Sequence, residues 1–387
     1  MFFNIAKQPQ SNFSHFYELG PFCVSTDAGW TLASLEQYQV LYKGYVDIDS
    51  IESALEHIVH ESEPQLLGNF CALVYNAETN SIKIRSDRYR GYPVWFDCDS
   101  VTNLDKKINT AWADSLVEIK PDGSVTESKF DLIGNIDTTP VDLDHAVGYI
   151  HQRLIEKTQN FLKHNTRPIK TFLSGGIDSL LVYSYLQRFT DNFELVRGEH
   201  FEYDKFWLLN SGTIKDNFWG YKQLHHWTQS CVLTSGAPGD EFMLRSPTTA
   251  DLFLKFHGES AIELLESDWK DCLHYQYFHQ SKNYKIFQTQ TVDAAWDHQS
   301  MLWNLCNIVS NDWQHWHIGS TLTWTPLRDL EIFKMLIRLP ATVALGQIMN
   351  SEISRLLIEK NKPGLSQLVS DQKNSGNPLS NLYGFLL

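Results

Sequence analysis

The chain has 387 residues, of which 42% are hydrophobic and 20% are charged, and its formal net charge is −14. This length predicts two domains or one large domain, and the composition is typical of a globular protein and excludes extensive disorder. The excess of acidic side chains argues against general binding of nucleic acid, because a phosphate backbone requires a basic surface. It does not exclude a local basic groove.

The cysteines and the hydropathy pattern indicate where the protein resides. Its 6 cysteines are far apart in the sequence and form no CxxC pair, so we expect reduced thiols and no zinc ribbon. No stretch approaches the roughly 18 apolar residues of a membrane span. The sequence therefore predicts a soluble cytoplasmic protein that does not enter a membrane.

The first third of the chain predicts an antiparallel sheet with one helix. Three segments are rich in aromatic and β-branched side chains, namely residues 38–47, 67–75 and 82–85. Between the first two, apolar side chains recur at helical spacing over residues 51–58, behind an N-cap at Asp49 or Ser50. A helix packed on a sheet is the expected arrangement.

A linker is predicted where the hydrophobic pattern weakens. Residues 121–140 accumulate Pro, Gly, Ser, Thr and Asp, as connections between domains do. We therefore place a domain boundary near residue 138, which divides the chain into domains at residues 1–138 and 139–387.

The second domain is predicted to begin with a long helix and to continue as a parallel α/β sheet. Four apolar residues of this helix share one face, namely Val147, Ile150, Leu154 and Leu162. A short apolar strand at residues 169–173 then leads through a glycine pair into another helix. The order strand, loop, helix is typical of the start of a parallel sheet.

The loop in TFLSGGIDS, residues 171–179, is the segment that carries the most chemical information. Gly175 and Gly176 let the backbone approach an anion, and the N–H groups of the following helix, with the hydroxyls of Ser174 and Ser179, can bind phosphate. The carboxylate of Asp178 would repel a bare phosphate. A Mg²⁺ ion bound to both groups would remove this repulsion. The simpler alternative is a glycine turn in which Asp178 caps the helix. The spacing is neither that of a Walker A loop nor GxGxxG.

Two glycine loops resemble those of a known family. SGGIDS is similar to the SGGxDS loop of the PP-loop ATP pyrophosphatases, and SGAPGDE at residues 235–241 resembles the SGxGxDE loop of asparagine synthetase and its relatives. The resemblance implies that Asp178 and Asp240 share Mg²⁺ with the pyrophosphate of ATP. It implies an ATP-binding set that consists of Leu173, Ser174, Gly175, Gly176, Asp178, Ser179 and Gly236.

Two later segments resemble the same family in the same order. TPLRD at residues 325–329 is similar to the VPFLD segment and is followed by a helical pattern. SDQKNSGNP, near the C-terminus, resembles the segment that carries the family's catalytic lysine, which implies that role for Lys373. A cation there would stabilise charge on the acyl-adenylate and pyrophosphate as they separate.

The N-terminal third resembles the class II glutamine amidotransferases. LLGNFCALVYN at residues 66–76 and SDRYRGYPVWF at residues 86–96 stand where that class has LDGxFAFALYD and RDxxGxxPLYY. The resemblance implies an α/β fold in two parts. The first is an α+β, Ntn-type domain with an antiparallel sheet, and the second is a PP-loop domain with a parallel sheet and helical additions.

The sequence departs from these families at positions that carry chemistry. The chain begins Met1-Phe2, without the N-terminal cysteine that attacks glutamine. Lys43 replaces the Asn that helps hold the oxyanion. Ala237 replaces a loop glutamate, and residues 322–324 replace an E-x-R substrate contact. We therefore expect no glutaminase activity, as in the β-lactam synthetase and lasso-peptide cyclase branches, and an amide other than asparagine.

The leading prediction is an AMP-forming carbon–nitrogen ligase that uses ATP and Mg²⁺ to join a small-molecule or peptide carboxylate to an amine or ammonia. Three alternatives stay open: an ammonia-dependent asparagine synthetase, an RNA-modifying PP-loop enzyme, and a non-catalytic homologue that binds nucleotide or a partner. The sequence does not identify the substrates, the general base or the oligomeric state, for which a homodimer is one option.

Overall fold

The structure is a computed structural model that describes most of the N-terminal part and selected segments of the C-terminal part. The described residues are 3–6, 13, 15–26, 29–46, 50–60, 68–87, 94–96, 101–102, 109–110, 115–129, 137, 139–173, 176–197, 231–236, 239–245 and 322–368.

The strands lie mostly in the first part of the chain, and four of the described strands follow in the second part. In chain order they are β1 (Phe3–Ala6), β2 (His15–Leu19), β3 (Phe22–Thr26), β4 (Thr31–Leu35), β5 (Tyr38–Val46), β6 (Gly68–Asn76), β7 (Ser81–Ser86), β8 (Trp95–Phe96), β9 (Val101–Thr102), β10 (Asn109–Thr110), β11 (Ser115–Ile119), β12 (Val125–Lys129), β13 (Ile169–Leu173), β14 (Glu194–Arg197), β15 (Val232–Thr234) and β16 (Leu322–Trp324).

The helices lie mostly in the second part. They are α1 (Ile51–His60), α2 (Leu143–His164), α3 (Ile177–Phe189), α4 (Gly239–Phe242), α5 (Leu330–Leu336), α6 (Ala341–Asn350) and α7 (Glu352–Asn361), and a 3₁₀ turn follows at Leu365–Leu368.

Two antiparallel sheets form the N-terminal part. Their strand orders are β10-β8-β9-β1-β3-β2 and β12-β11-β7-β6-β5-β4. The predicted strands at residues 38–47, 67–75 and 82–85 are confirmed as β5, β6 and β7, which are neighbours in the second sheet. Residues of β6 alternate between two hydrophobic clusters, one on each face of the sheet, because successive strand side chains point to opposite faces.

Helix α1 covers one face of the second sheet, as the sequence predicts. Its buried residues, Ile51, Ala54, Ile58 and Val59, pack on β5 and β6. Of the two predicted capping residues, Ser50 accepts a hydrogen bond on Oγ from the backbone N–H of Ser53 at 3.1 Å, as an N-cap does.

The linker predicted over residues 121–140 is wrong in its first half. Residues 125–129 form β12, which pairs with β11 from Ser115↔Lys129 to Ile119↔Val125. The Pro-Asp-Gly sequence is the hairpin turn, with Gly123 at a φ of +86°, where glycine is favoured. This strand was not predicted because polar residues such as Glu127 leave it without a clear apolar alternation. An edge strand can carry such residues, since much of its surface is exposed to solvent.

The second part contains a parallel sheet, which confirms that the chain has a mixed α/β fold. Its order is β14-β13-β15-β16 and every neighbouring pair is parallel. Helix α2 spans the predicted amphipathic segment and buries Val147, Ile150 and Leu154, while Leu162 is half-buried. The side chain of Asp142 caps its N-terminus by accepting from the N–H of His145 at 2.7 Å.

The antiparallel and parallel sheets share one hydrophobic core. Phe161 on α2 stacks on Trp324 of β16 with ring centroids 4.3 Å apart, and Tyr45 of β5 meets Phe161 edge-on. The amide Nδ2 of Asn69 in β6 donates to the backbone oxygen of Thr323 at 2.8 Å. Contacts of this kind hold the two parts together, while the boundary near residue 138 stays a prediction.

Among the helices that the structure describes, none has the length and apolar character to cross a membrane.

Candidate functional site

The two glycine loops of the sequence follow neighbouring parallel strands. β13 pairs with β15 in the register Ile169↔Val232 to Thr171↔Thr234, and the hydroxyl of Thr234 donates to that of Thr171 at 3.0 Å. The carboxyl ends of parallel strands lie at the same edge of a sheet, which is where α/β folds bind ligands. The loops after Leu173 and after Thr234 therefore begin side by side.

Gly176 starts helix α3 with an extended backbone, at φ −80° and ψ 156°, and no side-chain cap. Its carbonyl oxygen accepts from the hydroxyl of Ser179 at 2.8 Å. In this conformation the Ser179 hydroxyl therefore bonds the loop backbone, and a phosphate contact from Ser179 stays a prediction. Leu173, at the end of β13, is fully buried and so can contribute to a ligand site only through its backbone.

Gly236 is required by the close approach of the two loops. A Cβ atom at Gly236 would lie 2.3 Å from the carbonyl carbon of Asp178 and 2.4 Å from the backbone nitrogen of Ser179. Both are backbone atoms of the first turn of α3, so they cannot rotate away as the end of a side chain can. Close packing of the loop on this turn is thus sufficient reason for a glycine at this position.

Gly239 brings the second loop against the carboxyl group of Asp178. A Cβ atom there would lie 2.6 Å from Asp178 Cγ and 2.8 Å from Leu327 Cδ1. Gly239 directly precedes Asp240, so the backbone of the second predicted aspartate is next to the side chain of the first. The side chain of Asp240 itself lies outside the described residues.

Asp178 forms an ion pair that the sequence did not predict. Its Oδ2 lies 2.5 Å from Nη1 of Arg245, and their side chains are only 15% and 17% exposed. Nε of Arg245 also donates to the hydroxyl of Ser351, at 2.8 Å. The hydrophobic pattern gives no indication of Arg245. The sequence shows it only as a basic residue five positions after Asp240.

A magnesium ion that binds together with a nucleotide stays a prediction, for which the described residues offer one carboxylate. Mg²⁺ in nucleotide sites is held by one or two carboxylates and by phosphate oxygens, and Asp178 supplies a carboxylate at the edge of the sheet. The backbone of Gly239 packs directly against this carboxyl group, where an added Cβ would overlap Asp178 Cγ. The guanidinium of Arg245 already contacts one carboxylate oxygen, so the arginine has to be considered together with any cation here.

Three further predicted site residues lie outside the described residues, namely Ser174, Gly175 and Lys373. Their assignments, and the metal-binding role of Asp240, stay predictions. The structure does bring together the backbone of Gly176, Asp178, Ser179 and Gly236 in one place.

Asp329, the last residue of TPLRD, is buried in a charge cluster with α2. Its Oδ2 lies 2.6 Å from Arg153 Nε and 3.1 Å from Lys157 Nζ, and Oδ1 accepts from the N–H of Glu331 at 2.9 Å. Burial by itself raises the pKa of this carboxyl, but Lys157 and Arg153 outweigh burial and lower the pKa from 3.8 to about 2. In this structure Asp329 caps α5 and ties it to α2.

Gly44, in the amidotransferase-like segment, has a backbone conformation and a close contact that require glycine. Its φ is +123°, and a Cβ atom would lie 2.1 Å from the backbone oxygen of Asn69 and 2.5 Å from Cα of Phe70. Only glycine fits this close approach between β5 and β6. Lys43, beside it, is buried.

No protein-family model and no curated protein matches this chain. The resemblance to the asparagine synthetase family therefore rests on short sequence motifs in a shared order.

Proposed function

We propose that the protein is an ATP-dependent amide-forming ligase, which adenylates a carboxylate, releases pyrophosphate and transfers the acyl group to an amine or ammonia. The proposal also assigns the two parts of this α/β chain to families of folds. The N-terminal part would be an Ntn-type amidotransferase-like domain and the second part a PP-loop ATP pyrophosphatase domain.

One observation carries the proposal: the two aspartate-bearing loops meet at the carboxyl edge of the parallel sheet. Gly239 abuts Asp178 and Gly236 abuts the backbone of the same helix turn. Pairing of β13 with β15 already places the two loops side by side, and the added support is that Gly239 lies directly against the carboxyl group of Asp178. Contact between the two loops is what a shared nucleotide site requires.

The first half-reaction uses groups at this edge. The start of α3 points its N–H groups and the positive end of its dipole toward the loop, which favours a polyphosphate there. Asp178, with Asp240 as the second carboxylate, would hold Mg²⁺, whose charge would offset that of the phosphates. Lys373 would stabilise the charge on the departing pyrophosphate.

The acceptor site differs from that of an asparagine-forming enzyme. Leu322, Thr323 and Trp324 stand in place of the charged E-x-R segment, and all three side chains are buried in β16. They offer no charged group to a substrate, which supports an acceptor or carboxylate other than aspartate.

The proposed reaction does not include glutamine hydrolysis. Lys43 occupies the position of the oxyanion-binding Asn and is buried. Burial raises the pKa of the thiols of Cys71 and Cys23, with further increases from Asp87 and Glu18 respectively. Neither thiol has the lowered pKa of an activated nucleophile.

Exchange of labelled pyrophosphate into ATP tests the proposal. The purified protein is incubated with ATP, Mg²⁺, labelled pyrophosphate and a mixture of amino, dicarboxylic and aromatic acids, and label in ATP should depend on the acids. Asp178→Asn should lower the exchange at least about 100-fold, as loss of electrostatic stabilisation at a reacting centre does. The matched control is Asp191→Asn, an exposed aspartate just past the other end of α3, which should exchange as the wild type does. Release of ADP and phosphate alone would contradict the proposal.

A non-catalytic nucleotide-binding protein is the second candidate, and the Asp178–Arg245 ion pair favours it. An arginine that neutralises the key carboxylate would also suit a chain that keeps the fold and does no chemistry, and Ala237 at the loop position of a glutamate agrees with this reading. Binding of ATP in a calorimeter, with no AMP formed over hours in the presence of the acid mixture and ammonia, would select this candidate.

A further inference from the structure

Arg245 is held between the candidate ATP site and a helical hairpin. Its Nη1 contacts Asp178 and its Nε donates to the Ser351 hydroxyl. Ser351 connects α6 to α7 with a left-handed backbone, at φ 57° and ψ 36°. With 17% of its side chain exposed, Arg245 is therefore positioned beside the carboxyl group of Asp178.

The hairpin that holds Arg245 is itself anchored to the segment that carries the arginine. Gln347 is fully buried and its Nε2 donates to the backbone oxygen of Met243 at 2.7 Å. Its Oε1 accepts from the N–H groups of Ile353 and Ser354 at 2.8 and 3.2 Å. One amide therefore fixes the backbone near Arg245 and near its Ser351 partner, which places the arginine side chain next to Asp178.

A cation at Asp178 has to share the carboxylate with this guanidinium. Two positive charges close together repel each other, and a metal ion at Asp178 would therefore bind weakly while Arg245 stays paired. The phosphates of a nucleotide change this balance, because a guanidinium forms bidentate bonds to phosphate oxygens as well as to carboxylates. When Arg245 turns to a phosphate, the carboxylate becomes available to the metal.

We propose that Arg245 is a nucleotide-binding residue that exchanges Asp178 for a phosphate of ATP, and so makes metal binding at Asp178 depend on the nucleotide. This inference rests on the proposed function, because it assumes that a nucleoside triphosphate with a divalent cation is the ligand of the two loops. It adds a residue that the sequence motifs do not contain.

Binding of Mn²⁺, followed by electron paramagnetic resonance without nucleotide, tests the inference apart from activity. Arg245→Gln removes the charge that competes for Asp178, so Mn²⁺ should bind at least about tenfold more tightly than to the wild type, which corresponds to about 1.4 kcal/mol. The same variant should bind ATP, measured with EDTA present to remove metal, at least about tenfold more weakly. Arg188→Gln, which removes an exposed arginine near the other end of α3 that pairs with Asn361, should change neither affinity.

Arg245→Lys separates the two effects and provides a second test if Arg245→Gln does not fold. Lysine keeps the charge and lacks the planar fork, so Mn²⁺ affinity without nucleotide should stay within about threefold of the wild type while ATP affinity falls. A folded Arg245→Gln variant with wild-type affinities for both Mn²⁺ and ATP would overturn the inference and leave the proposed ligase untouched. A wild-type protein that binds no ATP, with or without Mg²⁺, would overturn both.

Discussion

Replacing Asp329 by Asn tests the buried charge cluster that joins α5 to α2. The change preserves the size of the side chain, and an amide oxygen can still cap the N–H of Glu331. It removes the negative charge that faces Arg153 and Lys157 at 2.6 and 3.1 Å. Because a buried ion pair is costly to break on one side only, we expect the free energy of unfolding at pH 7 to fall by about 3–5 kcal/mol.

The pH dependence of this effect follows from the pKa of Asp329. The carboxyl has a pKa of about 2 in the folded protein against 3.8 as its ordinary value. A carboxyl whose pKa is lower in the folded state stabilises the protein above its unfolded pKa, and the stabilisation is lost as the pH falls through the folded pKa. The difference corresponds to about 2 kcal/mol at neutral pH, of which roughly half remains at pH 3.

Urea unfolding of the wild type and of Asp329→Asn at pH values from 7 to 3 measures this contribution. The difference between the two proteins should be constant down to about pH 4.5 and should shrink by about 1 kcal/mol at pH 3. Asp191→Asn is the control, because this aspartate is exposed, and it should follow the wild type at every pH. A difference that stays constant between pH 5 and pH 3 would refute the reasoning that Lys157 and Arg153 hold the carboxyl ionised.

Three other substitutions test the close packing at Gly236, with Gly148 as its control, and a second buried ion pair. Gly236→Ala should lower the free energy of unfolding by about 1–3 kcal/mol in urea, since its Cβ would overlap backbone atoms of α3. Gly148→Ala, where nothing lies within 4 Å of the added Cβ on the exposed face of α2, should raise stability by about 0.5–1 kcal/mol; equal effects of the two would disprove the close contact. Arg328→Met removes the cation whose Nη2 lies 3.1 Å from the buried Asp87. We expect the free energy of unfolding to fall by about 3–5 kcal/mol, and a melting temperature within about 1 °C of the wild type (for a chain of this size, about 1 kcal/mol or less) would contradict that expectation.

Local sequence patterns were sufficient for the elements whose periodicity is strong. The strands β5, β6 and β7 and the helices α1, α2 and α3 lie where the sequence predicts them, because each shows its period within its own residues. β12 was missed, since an edge strand with polar residues on both sides lacks such a period. Gly176 and Asp178 were selected from the glycine pair after an apolar strand, and Gly236 from the resemblance, and the roles of all three stay predictions.

The sequence by itself determined the elements with a strong local period, such as β5, β6, α1 and α2, because this period depends on residues close together in the chain. Tertiary structure alone decided which charged and polar groups contact each other. Asp178 and Arg245 are 67 residues apart, Arg153 and Asp329 are 176 apart, and Asn69 and Thr323 are 254 apart. No local pattern connects such partners, since they become neighbours only when the parallel sheet and its helices are assembled. The ion pair at Asp178, on which the further inference rests, is therefore a property of the fold.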